Sequence, residues 1–365
     1  MRKTKKHLQS EIFDKKFLFL SLFLTIAGLV SLADASAPLA ARTFGDTFYF
    51  LKQQLIWALI GVALLFVTMK IKYTFWAKIA TPLFLIGLAS LILVLVPGIG
   101  TEILGAKRWI IVGSISIQPS EFIKFALAIY FAKVAERRLK MLSFVIPLLV
   151  VGILIMLQPD LGTMLVISAI GFTQIFVSGV NLFHFGALGL AAGLVSFLLI
   201  ITSDYRKDRL ITFFAQTHDP LDKSYHIRQI LLALGSGGLL GIGLGQSRQK
   251  YLFLPETATD SIFAVIAEEI GFLGASILII VFAIFVIRGF RIAKRAPDTF
   301  SLSLGVGIMS WIGAQTLLNI GSMVSLVPLT GIPLPFFSYG GSSLTTVLIG
   351  CGILLNISKY AKKSY

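Results

Sequence analysis

Charge is scarce in this 365-residue chain, and acid is scarcer still. Asp, Glu, Lys and Arg together make up 13% of it, with only 17 acidic residues. A soluble domain carries about 25% charged and about 45–50% apolar residues. Here apolar residues reach 56% and mean hydropathy is +0.89, which excludes an ordinary soluble domain. One cysteine, Cys351, excludes an internal disulfide and a cysteine-built metal cluster. The four histidines, His7, His184, His218 and His226, lack zinc spacing. No glycine-rich stretch is followed by Lys-Ser or Lys-Thr at phosphate-loop spacing. The 32 basic residues leave a net charge of +15. Nucleic-acid binding would need a long soluble basic segment, which is absent. The excess fits cytoplasmic loops and anionic headgroups instead.

What the chain has in abundance is long apolar runs. They fall near 17–33, 54–69, 77–96, 121–135, 143–157, 161–178, 183–203, 261–288, 304–327 and 340–358. About 20 apolar residues cross the hydrocarbon core, and backbone in lipid must bond to itself, so each run predicts a helix. The fold class is therefore all-α, a polytopic membrane protein of about ten spans. The basic start, 1–16, precedes an apolar run without an A-x-A site, so 17–33 reads as a retained first span. Lys70, Lys72 and Lys78 flank one connection, Lys133, Arg137, Arg138 and Lys140 a second, and Arg288, Arg291, Lys294 and Arg295 a third. Ten spans place all of these, with the basic tails, on one side, which is then cytoplasmic. Three longer connections, 34–53, 97–120 and 204–259, fall outside. The last carries Arg206, Lys207, Arg209, Lys223, Arg228, Arg248 and Lys250. The domain reading is a basic tail 1–16, one membrane domain 17–358 including the outer loop 204–259, and a tail 359–365.

The polar residues gather at the outer ends of the spans, where ionisable groups are costly and mark function. Lys107 and Arg108 suit a phosphate or pyrophosphate, and Trp109 a sugar face or a membrane interface. In Gln118-Pro119-Ser120-Glu121, Pro119 or Ser120 can start a helix, on which Glu121 and Lys124 can pair. Asp160, after Gln158-Pro159, either caps the next helix or faces substrate. Glycines 235–245 lead into Arg248 and Lys250 and suit either phosphates or close helix packing. Leu254-Pro255-Glu256 leads to Asp260, where the apolar helix begins. A carboxylate there can take a proton, hold a divalent cation or cap the helix. Pro328 to Ser343 is too rich in Pro and Gly for continuous helix, and its Ser338 and Ser342 suggest a cavity wall or a plain turn.

Five stretches, in this order, resemble the SEDS (shape, elongation, division and sporulation) family of polytopic glycosyltransferases. They are GAKRW with QPSEFIK, QPDLGT, GSGGLLGIGLGQSRQK, LPETATDSIFAVIAEEIGFLG and LPFFSYGGSS. The resemblance runs from about residue 17 to 360 and is closer to the division branch than to the elongation branch. It implies polymerisation of lipid II at the outer face of the cytoplasmic membrane, with undecaprenyl pyrophosphate released. It also implies a single-span transpeptidase partner of the class B penicillin-binding type, other division proteins, and possible Mg or Mn at the site. Asp260 aligns with the family's essential aspartate. Lys107, Arg108 and Trp109 fall on its first outer-loop motif, and Glu121 and Lys124 on its helix motif. Gln118, Ser120, Asp160, Arg248, Lys250, Glu256, Ser338 and Ser342 complete the substrate-binding expectation. The family stretch Ala-His-Thr-Asp-Phe reads Thr257-Ala258-Thr259-Asp260-Ser261 here, a departure at Thr257, Ala258 and Ser261 around the aspartate. The rival functions are the elongation-type polymerase and a lipid II transporter, of which the transporter would place ionisable groups at mid-span.

Overall fold

A computed structural model describes residues 13–103, 106–113, 115–201, 225–251 and 253–361. Arg206, Lys207, Arg209 and Lys223 of the long loop lie outside these residues, as do the basic ends of both tails. Eleven helices are present among the described residues. They are α1 (Lys15–Phe44), α2 (Tyr49–Lys70), α3 (Thr74–Leu95), α4 (Pro119–Glu136), α5 (Leu142–Leu157), α6 (Leu161–Val177), α7 (Leu182–Ile201), α8 (Tyr225–Gly237), α9 (Ile262–Lys294), α10 (Thr299–Met323) and α11 (Gly341–Lys359). Each of the ten apolar runs falls on one of them, and α8 is the addition. Among the described residues, six helices can cross a membrane by length and composition, namely α1, α2, α3, α9, α10 and α11, while α5 and α6 are shorter apolar helices.

The bundle is layered by burial. α10 and α11 are mostly enclosed, whereas α1, α2, α3 and α9 show most of their apolar surface. That outer coat of Phe, Ile and Leu has no water-soluble purpose and marks the lipid face. α2 lies along α11, α3 along α4, α10 against α6 and α4, and α9 against α10, α8 and α1. Small residues allow the close approaches. At Gly352 of α11 a Cβ would lie 2.4 Å from the Leu65 carbonyl and still nearer the Thr68 hydroxyl of α2. Buried polar side chains close the remaining bonds. Gln174 donates to the Ala128 and Ser303 carbonyls (2.8 and 2.9 Å), and Asn356 Nδ2 to that of Met69 (2.9 Å).

Three findings differ from the sequence expectation. The first helix runs eleven residues past 33 to Phe44, through Asp34 and Pro38, so most of the expected 34–53 connection is helical. Asp34 does not end it because its carboxylate has a cation, as described below. The 97–120 connection holds a small antiparallel sheet, β1 (Thr101–Ile103), β2 (Ala106–Val112) and β3 (Ile115–Ile117) in the order β1-β2-β3. Finally, α9 is broken at Gly271, with φ 68° and ψ −174°, into a short N-terminal piece and a long C-terminal one.

The break is stabilised by the glycine-rich loop that follows α8. A helix interruption orphans carbonyls before it and N–H groups after it. Ile242 N and Gly243 N donate to the Glu268 and Glu269 carbonyls (3.1 Å each). Phe272 N and Leu273 N donate to the Gly238 and Leu239 carbonyls (2.9 and 3.1 Å). The two strands of backbone come so close that a Cβ on Gly271 would sit 2.2 Å from the Gly241 nitrogen. This is what the glycine run does in the fold, and it holds the N-terminal end of α9 at a fixed place.

Candidate active site

The turn that enters α9 is built from its own backbone first. Thr259 N and Ser261 N donate to the Glu256 carbonyl (3.1 and 3.0 Å), and Thr259 Oγ1 to the Glu256 carboxylate (2.6 Å). Glu256, at φ 53°, thus closes the turn. The segment 328–340 then clamps it. Ser338 Oγ donates to the Thr259 carbonyl (2.6 Å) and Tyr339 N to the Ala258 carbonyl (2.7 Å). Asn319 of α10 donates to the carbonyls of both Asp260 and Ile332 (2.8 Å each). Asp260 is therefore fixed by its backbone and partly exposed. Its carboxylate lies beside Gly331, where a Cβ would stand 3.4 Å from Oδ2 and where φ is +68°. The cap position of α9 falls to Ser261, one residue on. Ser261 Oγ is 2.8 Å from His226 Nε2 of α8, so one family departure is where a histidine from another element docks.

The segment 328–340 is itself anchored. Ser338 Oγ accepts from Leu334 N (2.7 Å), and Gln54 of α2 bridges the Ser338 carbonyl and Gly340 N (3.3 and 3.1 Å). Gly28 of α1 lets the Phe336 carbonyl within 2.1 Å of a would-be Cβ. Ser338 is thus occupied by the protein, and Ser342 Oγ accepts from Gln118 N (3.4 Å), tying α11 to the start of α4.

The opposite wall comes from β2 and the α5–α6 turn. Arg108 donates from Nε to the Gln158 carbonyl (3.0 Å) and from Nη2 to the Pro159 carbonyl (2.6 Å). Asp160 caps α6, accepting from Thr163 N and Oγ1 (2.9 and 2.8 Å). Gly162 packs against the Thr330 carbonyl and Ile332. A continuous chain of contacts therefore runs from Arg108 through the α5–α6 turn to 330–332 and Asp260. Lys107 and Trp109 are half-buried on either side of Arg108, and Arg248 is exposed.

Below this rim, α4 carries a buried ion pair. Its first residue is Pro119, with Gln118 at the cap position. Lys124 Nζ bonds Glu121 Oε1 at 2.7 Å and Gln315 Oε1 at 3.0 Å, and stands 5.6 Å from the Trp311 ring. Ser120 Oγ and Glu121 Oε2 are buried without a hydrogen-bond partner among the described residues.

Lys250 belongs to a second network. Its Nζ bonds Asp34 Oδ1 (2.6 Å) and Glu269 Oε1 (2.8 Å), clasping α1 and α9. Burial pulls its pKa down, but the two carboxylate bonds outweigh that and raise it. The contribution of the charged lysine is fully present below its usual value of 10.5 and is lost as pH rises through the higher folded value. Glu268 accepts from Ser247 Oγ and from Ser236 Oγ (3.1 Å). No group of three His, Cys, Asp or Glu that could hold a metal ion exists among the described residues.

Sequence reasoning did not single out His226, Asn319 or Gln54. They reach Ser261, Asp260 and Gly340 from 35, 59 and 286 positions away, and no local pattern announces that.

The chain matches the family described as cell cycle protein, named for FtsW, RodA and SpoVE, over residues 15–363. It is 43% identical to stage V sporulation protein E of Bacillus subtilis, covering 96% of this chain and 98% of that one. It is 40% identical to a probable peptidoglycan glycosyltransferase FtsW of Trichlorobacter lovleyi, covering 95% and 93%. Among solved structures it is similar to a chain of a peptidoglycan synthase complex, with TM-score 0.78, 29% identity and coverage of 95% and 97%. The rod shape determining protein RodA of Thermus thermophilus matches with TM-score 0.70, 29% identity and coverage of 96% and 98%.

Proposed function

We propose that this chain, which belongs to the FtsW, RodA and SpoVE family of cell cycle proteins, is a multi-pass membrane glycosyltransferase that polymerises lipid II into peptidoglycan strands. The carrying observation is Asp260. It is a partly exposed carboxylate whose backbone is held by α10 and by 328–340 at one end of the bundle. An alcohol that attacks a sugar needs a base within reach, and a carboxylate fixed in this way suits that task. The acceptor sugar's 4-hydroxyl forms a bond to the anomeric carbon of the lipid-linked sugar. Its proton passes to Asp260, and undecaprenyl pyrophosphate leaves with the bonding pair, inverting the centre. Cations stabilise a leaving pyrophosphate. Lys107 and Arg248 are the candidates with exposed surface, while Arg108 and Lys250 support the walls.

A divalent cation would neutralise the pyrophosphate. Asp260 offers one carboxylate, and a magnesium ion is commonly held by one or two carboxylates plus substrate phosphates. Such an ion would therefore depend on substrate for its remaining ligands, and each step above is carried by the chain's own residues. The transport reading is less favoured. Glu121 and Lys124 lie within the first six residues of α4, and Glu268 and Glu269 within the first eight of α9, toward the site end, while α6 carries no charged residue.

The positive-inside pattern supports a topology with both termini in the cytoplasm and the site outside, in the bacterial inner membrane. The FtsW relatives favour work at the division septum with a single-span transpeptidase. The sporulation relative favours a second setting for the same chemistry, and the position of a fluorescent fusion in dividing and sporulating cells separates the two. The reaction is tested with purified lipid II and the purified protein with its transpeptidase. Wild type is expected to make glycan strands, and folded Asp260→Asn is expected to make none. Equal polymerisation by both would remove Asp260 from the mechanism.

A further inference from the structure

Far from Asp260, where α1 begins and α9 and α11 end, a cavity of about 400 Å³ opens between the helices. Five basic side chains line it, Lys15, Lys16, Arg288, Arg291 and Arg295, against one acidic one, Asp14. Asp14 is already committed. It caps α1 through Phe17 N (2.9 Å) and bonds Arg288 Nε (2.9 Å). The other four cations are exposed and make no ion pair among the described residues.

Cations at a helix C-terminus complement its dipole, and cytoplasmic ends collect them generally. Neither rule makes cations from two different helices converge on one cavity, where they repel each other. An anion relieves that repulsion, and paired guanidinium groups match phosphate oxygens. The surface next to the cavity indicates which anion. One to two turns deeper along the same helices, Phe19, Ile284 and Ile287 are 67%, 49% and 51% exposed. A phosphate headgroup in the cavity would lay its acyl chains on that apolar surface. A soluble phosphate has no use for it.

We propose that this cavity binds the phosphate headgroup of an anionic glycerophospholipid of the cytoplasmic leaflet, held by Arg291, Arg295 and Lys16.

The test uses the purified full-length protein in mixed micelles of dioleoylphosphatidylglycerol and dioleoylphosphatidylcholine. Retained lipid is counted by native mass spectrometry. Lys16→Gln/Arg291→Gln/Arg295→Gln is expected to lower retained phosphatidylglycerol more than about tenfold. A charge-matched control, Arg137→Gln/Arg138→Gln/Lys140→Gln in the exposed turn after α4, is expected to retain nearly as much as wild type. Equal losses in both variants, or none in either, would overturn the site. Displacement of the lipid by millimolar inorganic phosphate would assign the cavity to a soluble anion and overturn the lipid. If the triple variant shows no thermal unfolding transition, Arg291→Gln and Arg295→Gln singly carry the test, each expected to lower retention about fivefold.

Discussion

The site end of the bundle and its middle are held together by different means. In the middle, helices meet through glycine, through hydroxyls that bond back to their own helix and through uncharged amides, as at Gly352 against α2, Ser21 to the Phe17 carbonyl (2.9 Å) and Gln174 to the Ser303 carbonyl (2.9 Å). At the site end, loops and helix starts are joined by side chains whose partners lie far off in sequence. Lys250 joins Asp34 and Glu269, and Lys124 joins Glu121 and Gln315. Packing of the first kind yields gradually when disturbed. Buried charge of the second kind leaves an uncompensated partner when one member is lost.

Gly271→Val should do the most damage. A β-branched residue would meet the Gly241 backbone at 2.2 Å and take up a φ of +68° that it disfavours. A loss of at least about 4 kcal/mol is expected, read as absence of a folded fraction on size exclusion. Wild-type elution would show that the joint flexes freely.

Lys124→Met should cost about 3–5 kcal/mol, because Glu121 is left buried. Glu121→Leu with Lys124→Met should recover most of that loss, since no orphaned charge remains. Thermal unfolding in detergent compares the two. A double variant no better than the single would mean that the pair stabilises by attraction.

For the middle of the bundle, Gly352→Ala should cost about 1–3 kcal/mol by overpacking against Leu65 and Thr68. A loss as large as that of Lys124→Met would erase the distinction between the two regions. The Lys52–Asp46 pair is at the site end too, yet it is exposed. Asp46→Asn is expected to leave the unfolding temperature unchanged. A clear drop would show that exposure does not matter there.

Much of the bundle was readable because lipid imposes one rule on every span, and each apolar run became a helix. The end of α1 was not. Asp34 looks like a stop when its neighbours alone are considered, and the cation that makes it tolerable lies 216 positions later at Lys250. The break at Gly271 hid inside an apolar run for a similar reason, as the groups that complete it come from residues 238–243. Asp260 stood out through resemblance, while residue types alone left it between cap and base. Ser338 and Arg108 were expected at substrate, and in the structure both also bond backbone carbonyls of the site walls. Polarity at a membrane end signals a costly group, but not whether its partner is a ligand or the protein.

α4 shows a consequence for how the protein is made. This 18-residue helix carries Glu121, Lys124, Lys133 and Glu136, and it is not among the six helices apolar enough to cross alone. In the finished protein it is wrapped by α3, α6 and α10, and Gln315 of α10 completes its lysine. During synthesis α10 emerges long after α4. The insertion machinery must therefore shelter α4 from lipid, or let it enter late, until helices made afterwards close around it. The order of synthesis and the order of assembly differ here.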